Sequence, residues 1–358
     1  MNPDGHYDPK LSTIILTIPF EIMSDIFLQC MPSYPARSPL SGEASPEKLG
    51  HICARWRKVA HNTPALWRAI DFASSSDVPC HNGRVTIAKR WLERSKTLPL
   101  SFHFSSDDFH SPDTATQAME ALLVHRHRWE HIMLRLDTMI PVDLYLGPCV
   151  EGPFSLLTHM DVNQATASET FMDLPSLTSM SLHELDFMDA FDHLPWGRLT
   201  SLFLNGVYPD TAAKLLLATP ALVRCRLMLS VDNELDLQDP IPELPQVVQL
   251  PSLDILVFEI DEAEDRMVEL IRVLSAPSLT RLYIHDDIME TAGQAGAEHL
   301  PVLAQLVASL GCKLEYLTVA TKISVDDIRK TFPDIAHVGT VEYGPLLEDG
   351  QWGVWSDE

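Results

Sequence analysis

The chain is poor in the residues that most kinds of chemistry require. Its six cysteines, Cys30, Cys53, Cys80, Cys149, Cys225 and Cys312, are dispersed over 358 residues with no Cys-x-x-Cys. A disulfide framework or a thiolate zinc site needs clustered thiols, so this usage suits a reducing compartment. Basic charge is scarce: 26 Lys and Arg stand against 50 Asp and Glu, a net charge of -24. That argues against nucleic acid, because phosphate recognition rests on basic surface. Long apolar runs are missing too. Leu11 to Met23 comes nearest, but Asp4 and Asp8 precede it and Thr13, Thr17 and Glu21 interrupt it. It is too short and too polar for a membrane span or a signal peptide. The expected location is cytoplasmic or nuclear.

Glycine-rich chemistry is absent as well. There is no Gly-x-Ser-x-Gly elbow, no Gly-x-x-x-x-Gly-Lys-Ser/Thr and no dinucleotide-binding turn after a strand. The pairs Asp107-Asp108, Asp286-Asp287 and Asp326-Asp327 are adjacent in sequence, which points them apart rather than across a scissile bond. The best metal candidate is His125, His127 and His131 with His103 upstream, yet Arg126 and Arg128 interleave and would repel a cation that needs converging neutral ligands. The expectation is no catalytic residue, no cofactor and no metal.

What the chain does have begins at the N-terminal end. Leu49, Ile52, Cys53, Trp56, Val59 and Ala60 recur at offsets of three and four, one apolar stripe on a helical period. Pro64 ends that helix and turns the chain at Ala65-Leu66-Trp67. Upstream, Ile15, Ile18, Ile22 and Ile26 repeat the spacing, with Pro19 suited to a first helical position and Glu21 to the helix dipole. Two short amphipathic helices are therefore expected, flanking a Pro/Ser-rich insert, Met31 to Pro46.

These pieces read Ile18-Pro19-Phe20-Glu21-Ile22-Met23, Ile26-Phe27, Cys53-Ala54-Arg55-Trp56-Arg57-Lys58-Val59-Ala60 and Leu66-Trp67. Together they resemble the F-box pattern of Leu-Pro-x-Glu-Ile-Leu-x-x-Ile-Phe, then Cys-x-x-Trp-Arg-x-x-Ala and Leu-Trp. Two departures matter, Ile18 in place of Leu and the insert in place of a short polar link. The resemblance implies a partner surface formed or supported by Pro19, Ile22, Ile26, Cys53, Trp56 and Leu66. Between Lys48 and Leu100 lie ten Lys/Arg and three Asp/Glu, so this is the one basic region, and it could favour an acidic partner.

From Trp129 onward a six-residue frame, apolar-x-x-apolar-x-apolar, recurs. Its copies start at Trp129, Leu157, Leu177, Leu199, Leu222, Leu253, Leu279, Leu314 and, weakly, Ile335, at separations of 28, 20, 22, 23, 31, 26, 35 and 21 residues. Five carry a proline two positions before the frame: Pro175, Pro220, Pro251, Pro277 and Pro333. Helical stretches such as Asp210 to Leu217, Asp265 to Leu274 and Pro301 to Leu310 lie between, and Ser324-Val325-Asp326-Asp327 resembles a capping box. The frames resemble degenerate leucine-rich repeats, lacking the family's Asn or Cys at a fixed offset. An ordinary open α/β sheet is the alternative. Arg84 to Arg94 is expected as a helix with Val85, Ala88, Trp91 and Leu92 on one face, followed by a strand alternating Leu98, Leu100, Phe102 and Phe104.

The expected fold class is α/β: an N-terminal helical F-box followed by a curved leucine-rich-repeat-like solenoid of strand-helix units. The expected organisation is a tail over 1–10, the box over 11–72 with its insert at 31–46, a linker helix over 73–96, the repeat domain over 97–345, and an acidic tail or cap over 346–358 carrying Trp352 and Trp355. Strand alternation puts the frame's first, fourth and sixth positions in the core and the third, fifth and seventh mostly outward. The outward residues Phe203, Arg224, Arg226, Arg281, Tyr283 and Tyr316 have the composition of a binding hot spot. Eleven acidic residues with no Lys, Arg or His between Leu227 and Asp265 read as a solvated face, or as steering for a basic partner.

What the resemblance implies is a substrate-recognition adaptor of a Skp-cullin-F-box ubiquitin ligase, binding a Skp-type adaptor and cullin scaffold through the box and a protein substrate through the repeats. The alternative is a ligase-independent interaction scaffold. Neither reading involves an enzyme, nucleic acid or a membrane.

Overall fold

Pro19 sets where the first helix starts: its carbonyl accepts the Met23 N–H at 3.1 Å, and helix α1 runs over Phe20–Gln29. In the computed structural model residues 17–72, 81–109, 111–136, 154–163, 174–183, 194–230, 244–260, 265–285, 288, 299–321 and 323–341 are described. The chain divides into two compact units, Met1–Leu157 and Thr158–Glu358. Both are α/β, with parallel strands alternating with helices. The division falls within the run of frames, so the box-like helices, the linker helix and the first frame share one unit. The 346–358 segment lies outside the described residues, as do eight of the eleven acidic residues in the run from Leu227 to Asp265.

In the first unit α1 is followed by β1 (Ser38–Pro39), α2 (Glu47–Ile52), α3 (Ala54–His61), β2 (Ala69–Asp71), α4 (His81–Arg94), β3 (Leu100–Ser105), α5 (Pro112–Leu123) and β4 (Trp129–Arg135). The four strands are parallel in the order β1-β2-β3-β4. Where the stripe from Leu49 to Ala60 predicts one helix, the structure has two. Cys53 is extended, at φ -158° and ψ 169°, and its Sγ accepts the Trp56 N–H at 3.4 Å as the N-cap of α3. The break divides the stripe: Leu49, Val59 and Ala60 are buried, and Ile52 is turned to solvent.

The core of this unit is aromatic. Trp67 is fully buried, donates Nε1–H to the Ala60 carbonyl at 2.8 Å and meets Trp91 of α4 edge-on at 5.3 Å. Phe102 and Trp129 lie 4.9 Å apart, also edge to face. Val85, Ala88, Trp91 and Leu92 are buried as one face of α4. Arg128 fastens the end of that helix, donating to the Leu92 carbonyl at 3.4 Å, and just beyond it to Ser95 Oγ at 2.6 Å and the Leu98 carbonyl at 2.8 Å. A guanidinium on the last carbonyls of a helix also complements its dipole.

The insert does not loop out. Ser38 and Pro39 pair with Ile70 and Asp71 as the outermost strand. Beside them Tyr34 donates its hydroxyl to Glu130 at 2.6 Å under the Arg68 guanidinium, which lies 3.7 Å from the ring centroid. Arg37 Nε donates to Ser101 Oγ at 3.1 Å, and that hydroxyl donates to the Pro35 carbonyl at 2.7 Å. The segment is a strap across β2, β3 and β4. Burial and the Glu130 carboxylate push the Tyr34 phenol above its usual range.

The second unit carries β5 (His159–Asn163), β6 (Ser179–His183), β7 (Ser201–Val207), α6 (Pro209–Leu217), β8 (Arg224–Leu229), β9 (Val248–Gln249), β10 (Ile255–Ile260), α7 (Asp265–Val273), β11 (Leu274–Ser275), β12 (Arg281–His285), α8 (His299–Ser309), β13 (Tyr316–Ala320), α9 (Val325–Thr331) and β14 (His337–Val341). Eight of these strands are ordered β5-β6-β7-β8-β10-β12-β13-β14, while β9 and β11 form a separate parallel pair.

Each frame is a strand, and all but the one at Leu314 are entered from a turn. The frame's first residue donates its N–H to the carbonyl three residues back, as in Leu177 to Leu174, Leu222 to Thr219, Leu253 to Leu250, Leu279 to Ala276 and Ile335 to Phe332. In these five turns the preceding proline occupies the second turn position, where its fixed φ is already correct. The carbonyls of Thr158, Thr178, Thr200, Val223, Asp254 and Thr280 then each accept two consecutive N–H groups from the next strand. This fixes register, and the fourth and sixth frame positions stack as buried rows, Leu202, Cys225, Leu256, Leu282 and Leu317 in one and Leu204, Leu227, Phe258, Ile284 and Val319 in the other. Ile271 of α7 and Leu306 of α8 meet Leu256, Phe258, Leu282 and Ile284 around one apolar void, so the helices cover this face. Ser324 Oγ caps α9 by accepting the Asp326 N–H at 3.2 Å.

Two outcomes test the first unit. Tyr34→Phe should cost about 1–2 kcal/mol in urea denaturation, since it removes the hydroxyl from a part-buried carboxylate and keeps the ring under Arg68. Burial, and behind it Arg94 for His61 and Arg128 for His125, holds both imidazoles below the ordinary 6.5. The folded state therefore resists a proton that the unfolded chain accepts. Their contribution is full above about pH 6.5 and shrinks as the pH falls toward the depressed folded-state values. Melting temperature should drop between about pH 7.5 and 5.5, and His125→Gln should make that drop smaller.

Candidate functional site

Two surfaces carry the residues singled out from the sequence. The first is on the N-terminal helices. Met23 and Phe27 anchor α1 inward, with the Phe27 ring 4.9 Å from that of Trp56. Other large apolar residues face water: Phe20, Ile22 and Ile26 are 38%, 52% and 45% exposed, and Ile52 at the end of α2 is 60% exposed. Ile22 and Ile26 are one helical turn apart and share a face. Pro19 is exposed, Cys53 and Trp56 are half-buried, and Leu66 is buried. Of the six residues, then, Pro19, Ile22 and Ile26 are open to solvent and Cys53, Trp56 and Leu66 are wholly or partly covered. Exposed Arg55, Arg57 and Lys58 on α3 add positive charge. Arg55 is tied to the Ile18 carbonyl and Arg57 Nε to the Gly50 carbonyl at 2.8 Å. Ile52 is the residue periodicity placed on the buried side, because periodicity assumes an unbroken helix.

The second surface is the sheet face of the second unit away from the helices. The expectation that the fifth frame position points outward fails here: Phe203, Arg226 and Tyr283 are buried, Tyr283 to 1% exposure. Rungs about 4.8 Å apart leave little room between large side chains on one face. Arg226 sits over the Phe203 ring at 4.5 Å and makes a two-pronged pair with Glu259 at 2.6 and 3.3 Å. Tyr283 packs with Ile255, Val257 and Ala320. Burial and the nearby Glu259 carboxylate raise its phenol above the usual range.

The network continues along the rungs. His183 Nε2 lies 3.1 Å from Asp161 Oδ1, and its Nδ1 lies 3.0 Å from the Asn205 amide nitrogen. With that amide as donor, Nδ1 accepts and Nε2–H donates to the carboxylate. Both ring nitrogens are engaged, which leaves neither to take a proton from a nucleophile. Asp161, His183, Asn205, Arg226 and Glu259 are brought together only by register. Their shared fifth and seventh frame positions were the available signal. Arg224 remains exposed, and Arg281 and Tyr316 are half-buried.

The histidines considered for metal do not converge. His103 Nδ1 is 3.0 Å from Asp71, His131 packs edge-on against Tyr34 at 5.6 Å, and His125 and His127 belong to the turn before β4. Among the described residues no three His, Cys, Asp or Glu are grouped to hold a metal ion, and no helix is long and apolar enough to cross a membrane. Cys225 is wholly buried, which raises its thiol pKa and withholds the thiolate.

This defines an α/β protein of in-register parallel strands with an exposed apolar helical surface. No family model matches the chain, and no curated protein matches it.

The Arg226–Glu259 pair gives a direct test of the face. Glu259→Leu should lower stability by about 3–5 kcal/mol because it strands a buried guanidinium, and the double variant Arg226→Met/Glu259→Leu should recover most of that loss in guanidinium denaturation.

Proposed function

We propose that the chain is an F-box substrate-recognition adaptor of a cullin-RING ubiquitin ligase. A Skp-type adaptor docks on the N-terminal helices, and the rungs of the second unit, a leucine-rich-repeat-like solenoid, hold a protein substrate. The observation that carries this reading is the exposure of Ile22 and Ile26 on one face of α1, with Phe20 and Ile52 also exposed in the chain segment that resembles the box. Scattered apolar side chains on a surface need no explanation. Two isoleucines on one face of a short helix, with two more large apolar residues exposed nearby in sequence, favour a covering partner.

The flanking Arg55, Arg57 and Lys58 fit a partner that is acidic around an apolar groove, since rim charges steer and orient encounter. The chain contributes no chemistry of its own. It raises the effective concentration of a substrate lysine beside a charged ubiquitin-conjugating enzyme. Such a protein works in the cytoplasm or nucleus.

Ile22→Asp/Ile26→Asp should weaken capture of a purified Skp-type adaptor by more than about tenfold while leaving the melting temperature unchanged, because neither side chain is in the core. Undiminished capture would sink the reading. Recovery of cullin together with the adaptor distinguishes the ligase from a scaffold that takes the adaptor alone.

A further inference from the structure

The sheet of the second unit ends at β14. The His337 N–H donates to the Glu315 carbonyl at 2.9 Å, and the Val341 carbonyl accepts the Thr321 N–H at 3.2 Å. Residues 337, 339 and 341 therefore turn their backbone groups to β13, and by alternation Val338 and Thr340 turn theirs away from it. Among the described residues no strand lies beyond β14, so two N–H groups and two carbonyls have no ladder to join there. The devices that blunt an edge are missing from this one. His337-Val338-Gly339-Thr340-Val341 has no proline, lysine or acidic residue, and its pairing with β13 runs without a bulge.

Gly339 sits at the centre of the edge. Its φ is not in the left-handed region, and a Cβ built on it would meet only Thr318 Oγ1 among the described residues, at an ordinary 3.8 Å. Neither backbone conformation nor crowding within the chain calls for glycine, which weakens a strand through its entropy. What it leaves is a notch on the face away from the helices, between His337 and Val341. On the opposite face Val338 and Thr340 end the two buried rows, beside Leu317 and Val319.

We propose that this edge takes the protein substrate as an added strand: an extended segment with an aromatic residue beside Gly339, an apolar residue on each side of it and basic flanks. The proposal rests on the reading of the second unit as the substrate-holding part. The segment's backbone completes the ladder that Val338 and Thr340 leave open. Its aromatic ring fills the notch, as aromatic side chains do beside edge glycines, and its apolar residues continue the two buried rows. Charge selects the flanks and excludes a second copy of the chain. The second unit has 33 Asp and Glu against 11 Lys and Arg, so two such units repel each other while a basic segment is attracted. Five residues of edge also fall well short of the about 800 Å² per partner that a stable dimer buries.

Fluorescence anisotropy on the full chain tests this with a labelled peptide, Lys-Lys-Thr-Val-Tyr-Val-Thr-Lys-Lys, and two N-methylated forms, one methylated at the tyrosine and one at both valines. An added strand turns only one of these sets of N–H groups toward β14, so one form should lose binding and the other should keep it. Replacing the tyrosine by alanine should weaken binding roughly tenfold, and Gly339→Val, which fills the notch, should shrink that preference. Thr340→Pro removes an outward donor and none that faces β13, so it should abolish binding. The peptide comparisons need no variant and stand even where Thr340→Pro fails to fold. Equal binding of the two methylated forms, undiminished binding by folded Thr340→Pro, or no saturable binding up to about 1 mM would overturn the proposal. So would a dimer in sedimentation that Thr340→Pro dissolves, since a second copy would then hold the edge. Capture of the Skp-type adaptor by the same samples separates the two readings. Adaptor capture without peptide binding removes the edge alone, and peptide binding by a chain that takes no adaptor keeps the edge and removes the ligase.

Discussion

Register is the constraint on which the second unit depends. Six rungs, β6, β7, β8, β10, β12 and β13, each begin with two consecutive N–H groups aimed at a single carbonyl of the rung before, and this fork admits one alignment. A slip of one residue would move every frame's apolar set to the wrong face. The prolines contribute by narrowing the turn before the fork forms. Glycine is not needed in these turns, because a proline at the second position and an ordinary residue at the third suffice. Buried rows and the Arg226–Glu259 pair are both consequences of that alignment, since residues far apart in sequence become neighbours only when the forks are made.

In the first unit the comparable constraint is the strap. A stretch rich in Pro and Ser has little to bury and would ordinarily stay loose. Here it gains two ladder positions on β2 and a cluster of hydrogen bonds through Tyr34, Arg37 and Ser101. The strap joins α1 to the sheet on one side, and the Trp67–Trp91 contact joins α3 to α4 on the other. The helices that resemble a box are thus built into the α/β unit rather than appended to it, which explains why the boundary between units falls after the first frame.

Much of this was legible in sequence, and the divisions have physical causes. The nine frames give nine strands, because apolar periodicity reports burial and burial is what stacks the rungs. The face of α4 and the alternation of β3 follow from the same reasoning. The break at Cys53 was hidden, since an extended residue inside a good helical pattern leaves the spacing intact. The strap was hidden because its bonds are to Glu130 and Ser101, far along the chain. On the sheet face away from the helices, the third frame position stays accessible at Arg224, whereas the fifth is buried at Phe203, Arg226 and Tyr283. Alternation names the face of a strand, but neighbouring rungs decide whether that face sees water.

The exposed isoleucines of α1 have a colloidal consequence. Apolar area left in water favours contact at about 25 cal/mol per Å², so two free copies of the chain gain by covering this surface with one another. Their net charge of -24 each opposes the approach, and that repulsion is long-ranged only where salt is dilute. Ionic strength therefore sets how long a free chain stays single. A chain whose helical surface is already covered loses the attraction and keeps the repulsion, so its solubility becomes nearly indifferent to salt.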